Sequence, residues 1–234
     1  MIHTVLFDLD GTLLPMDQDV FIDAYFKGIS TAAAPRGYDP KALVEAVWTG
    51  TMAMIKNDGS CSNEEAFWRT FAGIYGQEAL KDKVIFDRYY ETDFHKVSEV
   101  CGFNPQAAGT VHALKEMGIR LVLATNPIFP AAATLQRIQW AGLHPDDFEI
   151  ITTYENSCYC KPNPDYYCQL TRDLHLQPEE CLMAGNDTWE DMIAEKAGMK
   201  VFLLTEGLLN RKNIDIRAYP QGNFDDLKQY ICSL

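Results

Sequence analysis

No apolar run in the sequence approaches the roughly 20 residues that cross a membrane as a helix. Positive charge is scarce. Against 33 Asp and Glu stand 20 Lys and Arg, for a net charge of −13. That balance argues against nucleic acid or an anionic membrane as a partner, since both select basic surfaces. An anionic substrate would need cations supplied locally, by lysine or by a metal ion. The seven cysteines are odd in number and follow no disulfide-framework spacing, which fits reduced thiols and a cytoplasmic setting. No basic region or cleavage site precedes the first apolar run, in keeping with that expectation. The histidines show no metal-ligand spacing. What the sequence does have is apolar mass, 47% of its residues, enough for a sizeable core and incompatible with disorder. Its 234 residues allow one large α/β domain, or a domain with an insert.

The first informative stretch is Phe7-Asp8-Leu9-Asp10-Gly11-Thr12, directly after the apolar run Ile2 to Leu6. If that run is a buried strand, two carboxylates sit just past its C-terminal end. Carboxylates there cost desolvation unless they meet a cation or a reacting group. The plain alternative is a capped turn, for which Asp and Gly are ordinary. The further acidic spacing of a calcium-binding EF-hand loop is missing.

After Thr12 the pattern turns helical. Phe21, Tyr25 and Ile29 form one stripe, and Asp39-Pro40 opens a second helix carrying Val44, Trp48, Met52 and Ile55. Ser62 with Glu65 makes a capping box before Phe67, Phe71, Ile74 and Tyr75, and a less regular helix spans Leu80 to His95. No strand signal falls in residues 16–100, so this block reads as an all-helical unit. From Asn104-Pro105 onward helices and strands alternate. Strands are expected at Ile119 to Ala124, Glu149 to Thr153, Cys181 to Ala184 and Lys200 to Leu204. Helices are expected at Ala108 to Met117, through Leu135 and Ile138, after Asn163-Pro164, from Trp189 to Gly198 and near Asp225 to Ile231. Alternation predicts an α/β fold with a doubly wound parallel sheet, whose ligands bind outside the C-terminal strand ends. Asp8, Asp10, Thr125, Lys161 and Asp187 all fall at or soon after such ends.

This set, in this order, resembles the haloacid dehalogenase-like hydrolases, whose members are mostly phosphatases. The matching motifs are Asp8-x-Asp10-Gly11-Thr12, the strand-terminal Thr125, the lysine of Lys161-Pro162-x-Pro164, and the glycine-led acidic run Gly185 to Asp191. In the last, Asn186 intervenes between the glycine and the first acid, while Asp187 and Asp191 keep the family's spacing. The resemblance implies a Rossmann-like core, residues 1–15 and 101–234, with a helical cap at 16–100 between the first and second motifs.

It further implies a chemistry. Asp8 would attack phosphorus to give an aspartyl-phosphate, and the Asp10 side chain would protonate the leaving alcohol and later accept a proton from water. Thr125 and nearby backbone N–H groups, with Leu9 and Asn126 as substrate-binding positions, would hold phosphate oxygens. Lys161 would offset charge and orient Asp8. Mg²⁺ would be held by Asp8, the Asp10 carbonyl and Asp187, with Asp191 sharing that role. The implied function is Mg²⁺-dependent hydrolysis of a small phosphorylated substrate. A phosphosugar mutase on the same scaffold is the alternative, and a phospho-accepting signalling protein is disfavoured by Asp10 and the cap. A dehalogenase is disfavoured because those relatives lack the second Asp. Cys158-x-Cys160 lacks the earlier Cys-x-His pair of the family's zinc loops and reads as free thiols. Substrate identity and oligomeric state are not written in the sequence.

Overall fold

The computed structural model describes residues 1–234. The first apolar run forms strand β1 (Thr4–Phe7), buried along its whole length. The chain is then helical through residue 100. It forms α1 (Gln18–Ala33), α2 (Pro40–Ile55), α3 (Asn63–Tyr75) and α4 (Lys83–Thr92), with 3-10 turns at Gln77–Asp82 and Phe94–Val100. Asp17 and Asp39 accept backbone N–H groups of the turns they open, and Ser62 with Glu65 closes the capping box. The expected helix over Leu80 to His95 is therefore shorter, and Asp82 and Asp93 stand at its two breaks. Neighbouring side chains hold both carboxylates, an alternative to continuing the helix.

The α2 stripe expected from periodicity is rotated. Trp48 and Met52 are 43% and 41% exposed, while Leu43, Ala46, Val47, Gly50 and Met54 are buried. The helix is apolar around most of its circumference, so packing rather than periodicity selects the face. Gly50 shows why: a Cβ there would lie 2.6 Å from the Phe67 ring, so α3 approaches too closely for any side chain.

Asp82 ties the α1–α2 connection to the turn before α4. It accepts from Arg36 Nε and Tyr38 Oη, each at 2.8 Å. Burial works to raise its carboxyl, but the Tyr38 and Arg36 hydrogen bonds outweigh this and hold it below the usual carboxylate range. A depressed folded value contributes stability that is complete above the unfolded pKa of about 3.9 and lost as pH falls through the folded one. Thermal unfolding of wild type and Asp82→Asn should therefore differ at pH 7 and converge as pH falls below about 4. A constant gap down to the acid limit would remove the carboxylate from this role.

The remainder alternates as expected: α5 (Pro105–Glu116), β2 (Arg120–Leu123), α6 (Ala131–Trp140), β3 (Ile150–Ile151), α7 (Pro164–Asp173), β4 (Cys181–Gly185), β5 (Lys200–Leu204), β6 (Gln221–Gly222) and α8 (Phe224–Ser233). β3 is shorter than its apolar run because the Thr152 hydroxyl turns back onto the Leu123 and Thr125 carbonyls. The helix expected from Trp189 is a turn followed by a 3-10 segment, Met192–Ala197. β6 has no counterpart among the expected strands, since two half-buried residues carry no periodicity.

All strand pairs are parallel, in the order β3-β2-β1-β4-β5-β6. Alternate strand residues feed two cores. Val5, Phe7, Leu121 and Leu123 pack with α5 and α8, whereas Leu6, Val122, Met183 and Val201 pack with α7. A third cluster fills the helical block and reaches Ala133 and Tyr154, beyond the ends of β2 and β3. The N-terminus of α3 is pinned there: Asn63 and Glu64 donate their N–H groups, unmatched within the helix, to the Ser157 and Tyr154 carbonyls at 2.8 Å. The two chain crossings into the block run side by side. Met16 bridges Cys101, and the Gly102 N–H donates to the Pro15 carbonyl at 2.6 Å. No helix is long and apolar enough to cross a membrane.

Candidate active site

With β2 on one side of β1 and β4 on the other, strand order reverses between β1 and β4, and a crevice opens at their C-terminal ends. The loop after β1 carries Asp8 and Asp10, and the loop after β4 carries Asn186, Asp187 and Asp191. Gly11 makes the first turn at φ +83°, and a Cβ there would meet the Asn186 amide at 2.5 Å. Thr12 ties the loops together. Its hydroxyl lies 3.0 Å from Asp8 Oδ2 and 2.9 Å from Asn186 Oδ1, and accepts the Asn186 N–H at 3.1 Å.

Lys161 is fully buried behind this pair. Its Nζ donates to Asp8 Oδ1 at 3.0 Å and to Asp191 Oδ1 at 2.6 Å. Burial opposes its charge, but Asp191 and Asp8 outweigh that and hold the ammonium well above its ordinary range. Burial raises the Asp191 carboxyl against the pull of Lys161. Both Asp191 oxygens accept hydrogen bonds, the second from the Asp187 N–H at 3.0 Å, and that is the geometry of a carboxylate. The expectation for Asp191 is a share of a metal. Through one hydrogen bond on each oxygen it ties Lys161 to the Asp187 loop, and it lines the cleft. Asp187 keeps one oxygen for the Trp189 and Glu190 N–H groups, at 2.7 and 3.0 Å, and lines the cleft.

Asp10 has a partner that sequence reasoning missed. Arg137 of α6, fully buried, donates to Asp10 Oδ2, lies 4.5 Å over the Phe129 ring and reaches Thr134 Oγ1 at 3.1 Å. The available signal was its place between Ala133 and Ala141 on a buried stripe, where charge is rare. Asp10 Oδ1 is buried with no partner. Burial raises the Asp10 carboxyl, opposed by Arg137 and reinforced by Asp8. Glu190 was also missed. It accepts from Asn126 Nδ2 at 2.9 Å, and burial pushes its carboxyl up to about 8.

Thr125 lines the cleft, its carbonyl taken by Thr152 and Tyr166. Asn126 lines it too, but its amide is committed to Glu190 and its oxygen to the Lys161 N–H at 3.2 Å, so its side chain braces the loops. The Leu9 side chain lies in the core and does not reach the cleft, which leaves only its backbone for the expected substrate role. The cleft holds about 150 Å³, and its far wall, Met16, Gln18, Phe21 and Ile22, comes from the start of the helical block.

The charged donors facing the cleft are all carboxylate oxygens, the set that suits a hard divalent cation. No three His, Cys, Asp or Glu side chains converge into a closed cage. A Mg²⁺-type ion ordinarily takes one or two carboxylates and completes its shell with water and substrate, so Asp8 and Asp187 fit such an ion.

A doubly wound α/β enzyme with strand-end carboxylates at its switch point is the class that fold and site define. A family profile described as haloacid dehalogenase-like hydrolase matches residues 2–198. A phosphoglycolate phosphatase of Vibrio vulnificus (strain YJ016) is 28% identical over 233 residues, 98% of this chain and 95% of its own. A glyceraldehyde 3-phosphate phosphatase of Methanopyrus kandleri is 24% identical over 88% of this chain and 85% of its own. A solved 2-haloacid dehalogenase of Pseudomonas syringae pv. Tomato DC3000 superposes with a TM-score of 0.66 at 20% identity, covering 100% of this chain and 99% of that one. At that identity the likeness speaks to fold alone. The chain belongs to the haloacid dehalogenase-like hydrolases, and it is an enzyme of their phosphatase type.

Proposed function

We infer that the enzyme hydrolyses a small phosphate monoester with Mg²⁺, through an aspartyl-phosphate on Asp8. The observation that carries this reading is the Asp8–Lys161–Asp191 chain at the switch point, with Asp10 beside it on the same loop. An oxygen of Asp8 attacks phosphorus while the ester P–O bond breaks, and the leaving oxygen takes its proton from Asp10. Asp10 then removes a proton from water, which attacks phosphorus and breaks the Asp8–phosphate bond, releasing inorganic phosphate. Lys161 holds Asp8 in line and offsets its charge, and Asp191 fixes Lys161. Thr125 supports phosphate oxygens. Asp8, the Asp10 carbonyl and Asp187 would hold Mg²⁺, which when bound offsets the repulsion between carboxylate and phosphate dianion.

Residues 16–100 act as a cap in this reading, since their first residues wall the cleft that contains Asp8. The paired crossings at Met16 and Cys101 are the natural hinge.

Phosphate release from a panel of small esters tests the reading. Chelation should abolish turnover, Mg²⁺ should restore it, and Ca²⁺ should substitute poorly because it prefers more ligands and looser geometry. Full activity in excess EDTA, with metal content measured as nil, would sink the mechanism.

A further inference from the structure

The cleft recognises charge in an unusual way: no Lys, Arg or His side chain lines it. Lys161 is buried behind Asp8, and Arg137 is spent on Asp10. The cation contacting the rim is Arg211, 65% exposed, 3.4 Å from Gln18 and 3.6 Å from Asp19. The polar groups that do face the cleft are Asp8, Asp10, Asp187, Glu190 and Asp191, joined by neutral amides and a hydroxyl. A substrate carrying a second anionic group, such as a carboxylate close to its phosphate, would bring that charge among carboxylates with no cationic side chain to pair with it.

Beside the cleft lies a second cavity of about 80 Å³, and Ile22, Ile128 and Phe129 line both. Its other walls include Val47, Phe67, Trp68, Tyr90 and Tyr154, and 12 of its 14 lining residues are hydrophobic, so nothing in it would hold an ion. Its one small polar residue, Thr51, already donates its hydroxyl to the Val47 carbonyl at 2.9 Å. The Tyr90 hydroxyl is likewise paired with Tyr25 at 2.8 Å. The buried Trp68 indole N–H is turned to the Tyr154 hydroxyl in the same wall, a contact that works against the rise burial gives that phenol. Close packing does not ordinarily leave an apolar hollow of this size in an interior.

We propose that this apolar annex is the leaving-group subsite, and that the substrate is a phosphate monoester of an uncharged, apolar alcohol of about ring size. The proposal rests on the phosphatase reading above and adds the substrate class to it. One water needs about 10–15 Å³ of such space, so the annex takes a group on the order of six heavy atoms. With phosphorus at Asp8, the ester oxygen lies at Asp10, and the alcohol passes Ile22 and Phe129 into the annex. Phosphoglycolate, for which the Vibrio vulnificus relative is named, has the opposite chemistry, a carboxylate where the annex offers aromatic rings.

The test compares esters of primary alcohols, so that leaving-group reactivity is similar and the pocket decides. Initial rates of Mg²⁺-supported phosphate release are measured on benzyl phosphate, ethyl phosphate and 2-phosphoglycolate, with acetyl phosphate reporting the phosphoryl chemistry alone. A single methylene in an apolar pocket is worth about 10- to 200-fold in kcat/KM, so benzyl phosphate should exceed ethyl phosphate by at least about tenfold. Phosphoglycolate should fall below ethyl phosphate. Thr51→Trp, which fills the annex, should bring the benzyl-to-ethyl ratio down to about one. Should that variant not fold, binding to wild type reads the same point. Benzylphosphonate should saturably change tryptophan emission, since Trp48 and Trp68 both line the annex, and phosphonoacetate should not. Turnover of acetyl phosphate with phosphoglycolate preferred over benzyl phosphate would overturn the subsite and leave the phosphatase reading standing. No turnover of any of the esters or of the anhydride acetyl phosphate would overturn both.

Discussion

Asp8→Asn is expected to lose all turnover and form no phosphoenzyme, yet to fold as well as the wild type. The first half follows from chemistry, since an amide oxygen is too poor a nucleophile to attack a phosphate ester. The second follows from the charges around Lys161. In the wild type one buried ammonium faces two carboxylates, Asp8 at 3.0 Å and Asp191 at 2.6 Å. Removing one negative charge leaves a neutral Lys161–Asp191 pair, and the amide introduced in place of the Asp8 carboxylate can still accept from Lys161 and donate to Thr12. Lys161→Met behaves differently. It leaves two carboxylates side by side without their cation, and breaking a buried pair in this way costs about 3–5 kcal/mol. The measurements are ³²P trapping on acid-quenched enzyme and thermal unfolding of both variants. Residual turnover in Asp8→Asn would withdraw the nucleophile. Equal destabilisation by the two variants would mean that Asp8 is a structural ion-pair partner.

The candidate positions were legible because most lie where an apolar run stops. Asp8, Thr125 and Asp187 follow strands whose hydrophobicity alone marks them, and a parallel sheet gathers their ends at one crevice, whereas Lys161 stands on an irregular loop marked only by its Lys-Pro-x-Pro motif. The identity of their partners was not legible. Arg137 meets Asp10 across more than a hundred residues of sequence, and no local pattern states which buried stripe will face which loop. The same limit applies to α2, whose apolar circumference let Trp48 and Met52 read as core when α3 in fact packs on the neighbouring face. Leu9 shows the reverse case. It sits between Asp8 and Asp10 in the turn after β1, and its side chain joins Val5 and Phe7 in the core. The spacing Asp187 to Asp191 is equally consistent with two ligands or with a ligand and a clamp, and it does not state that Asp191 meets Lys161.

That Arg137 contact changes what Asp10→Asn should do. As an acid/base variant it keeps the nucleophile and the backbone carbonyl at position 10, and general acid–base help is typically worth about 10² to 10⁴ in rate. An alkyl phosphate should therefore be turned over hardly at all. An activated aryl phosphate, whose leaving group needs little protonation, should recover its first step, and phosphoenzyme should then accumulate because water lacks its base. The variant also strips the fully buried Arg137 of its carboxylate, so it should lose roughly 3 kcal/mol of stability, unlike Asp8→Asn. Low activity in the single variant would therefore mix two causes. The double variant Asp10→Asn/Arg137→Met separates them. Removing both charges and keeping an unbranched side chain under Phe129 should return most of the stability, since replacing a buried pair by apolar packing is often neutral. Activity on alkyl phosphates should stay as low as in the single variant, with the aryl phosphoenzyme still trappable. If the double variant instead regains alkyl-ester turnover along with its stability, Asp10 is a structural partner of Arg137, and the proton carrier has to be sought elsewhere in the cleft.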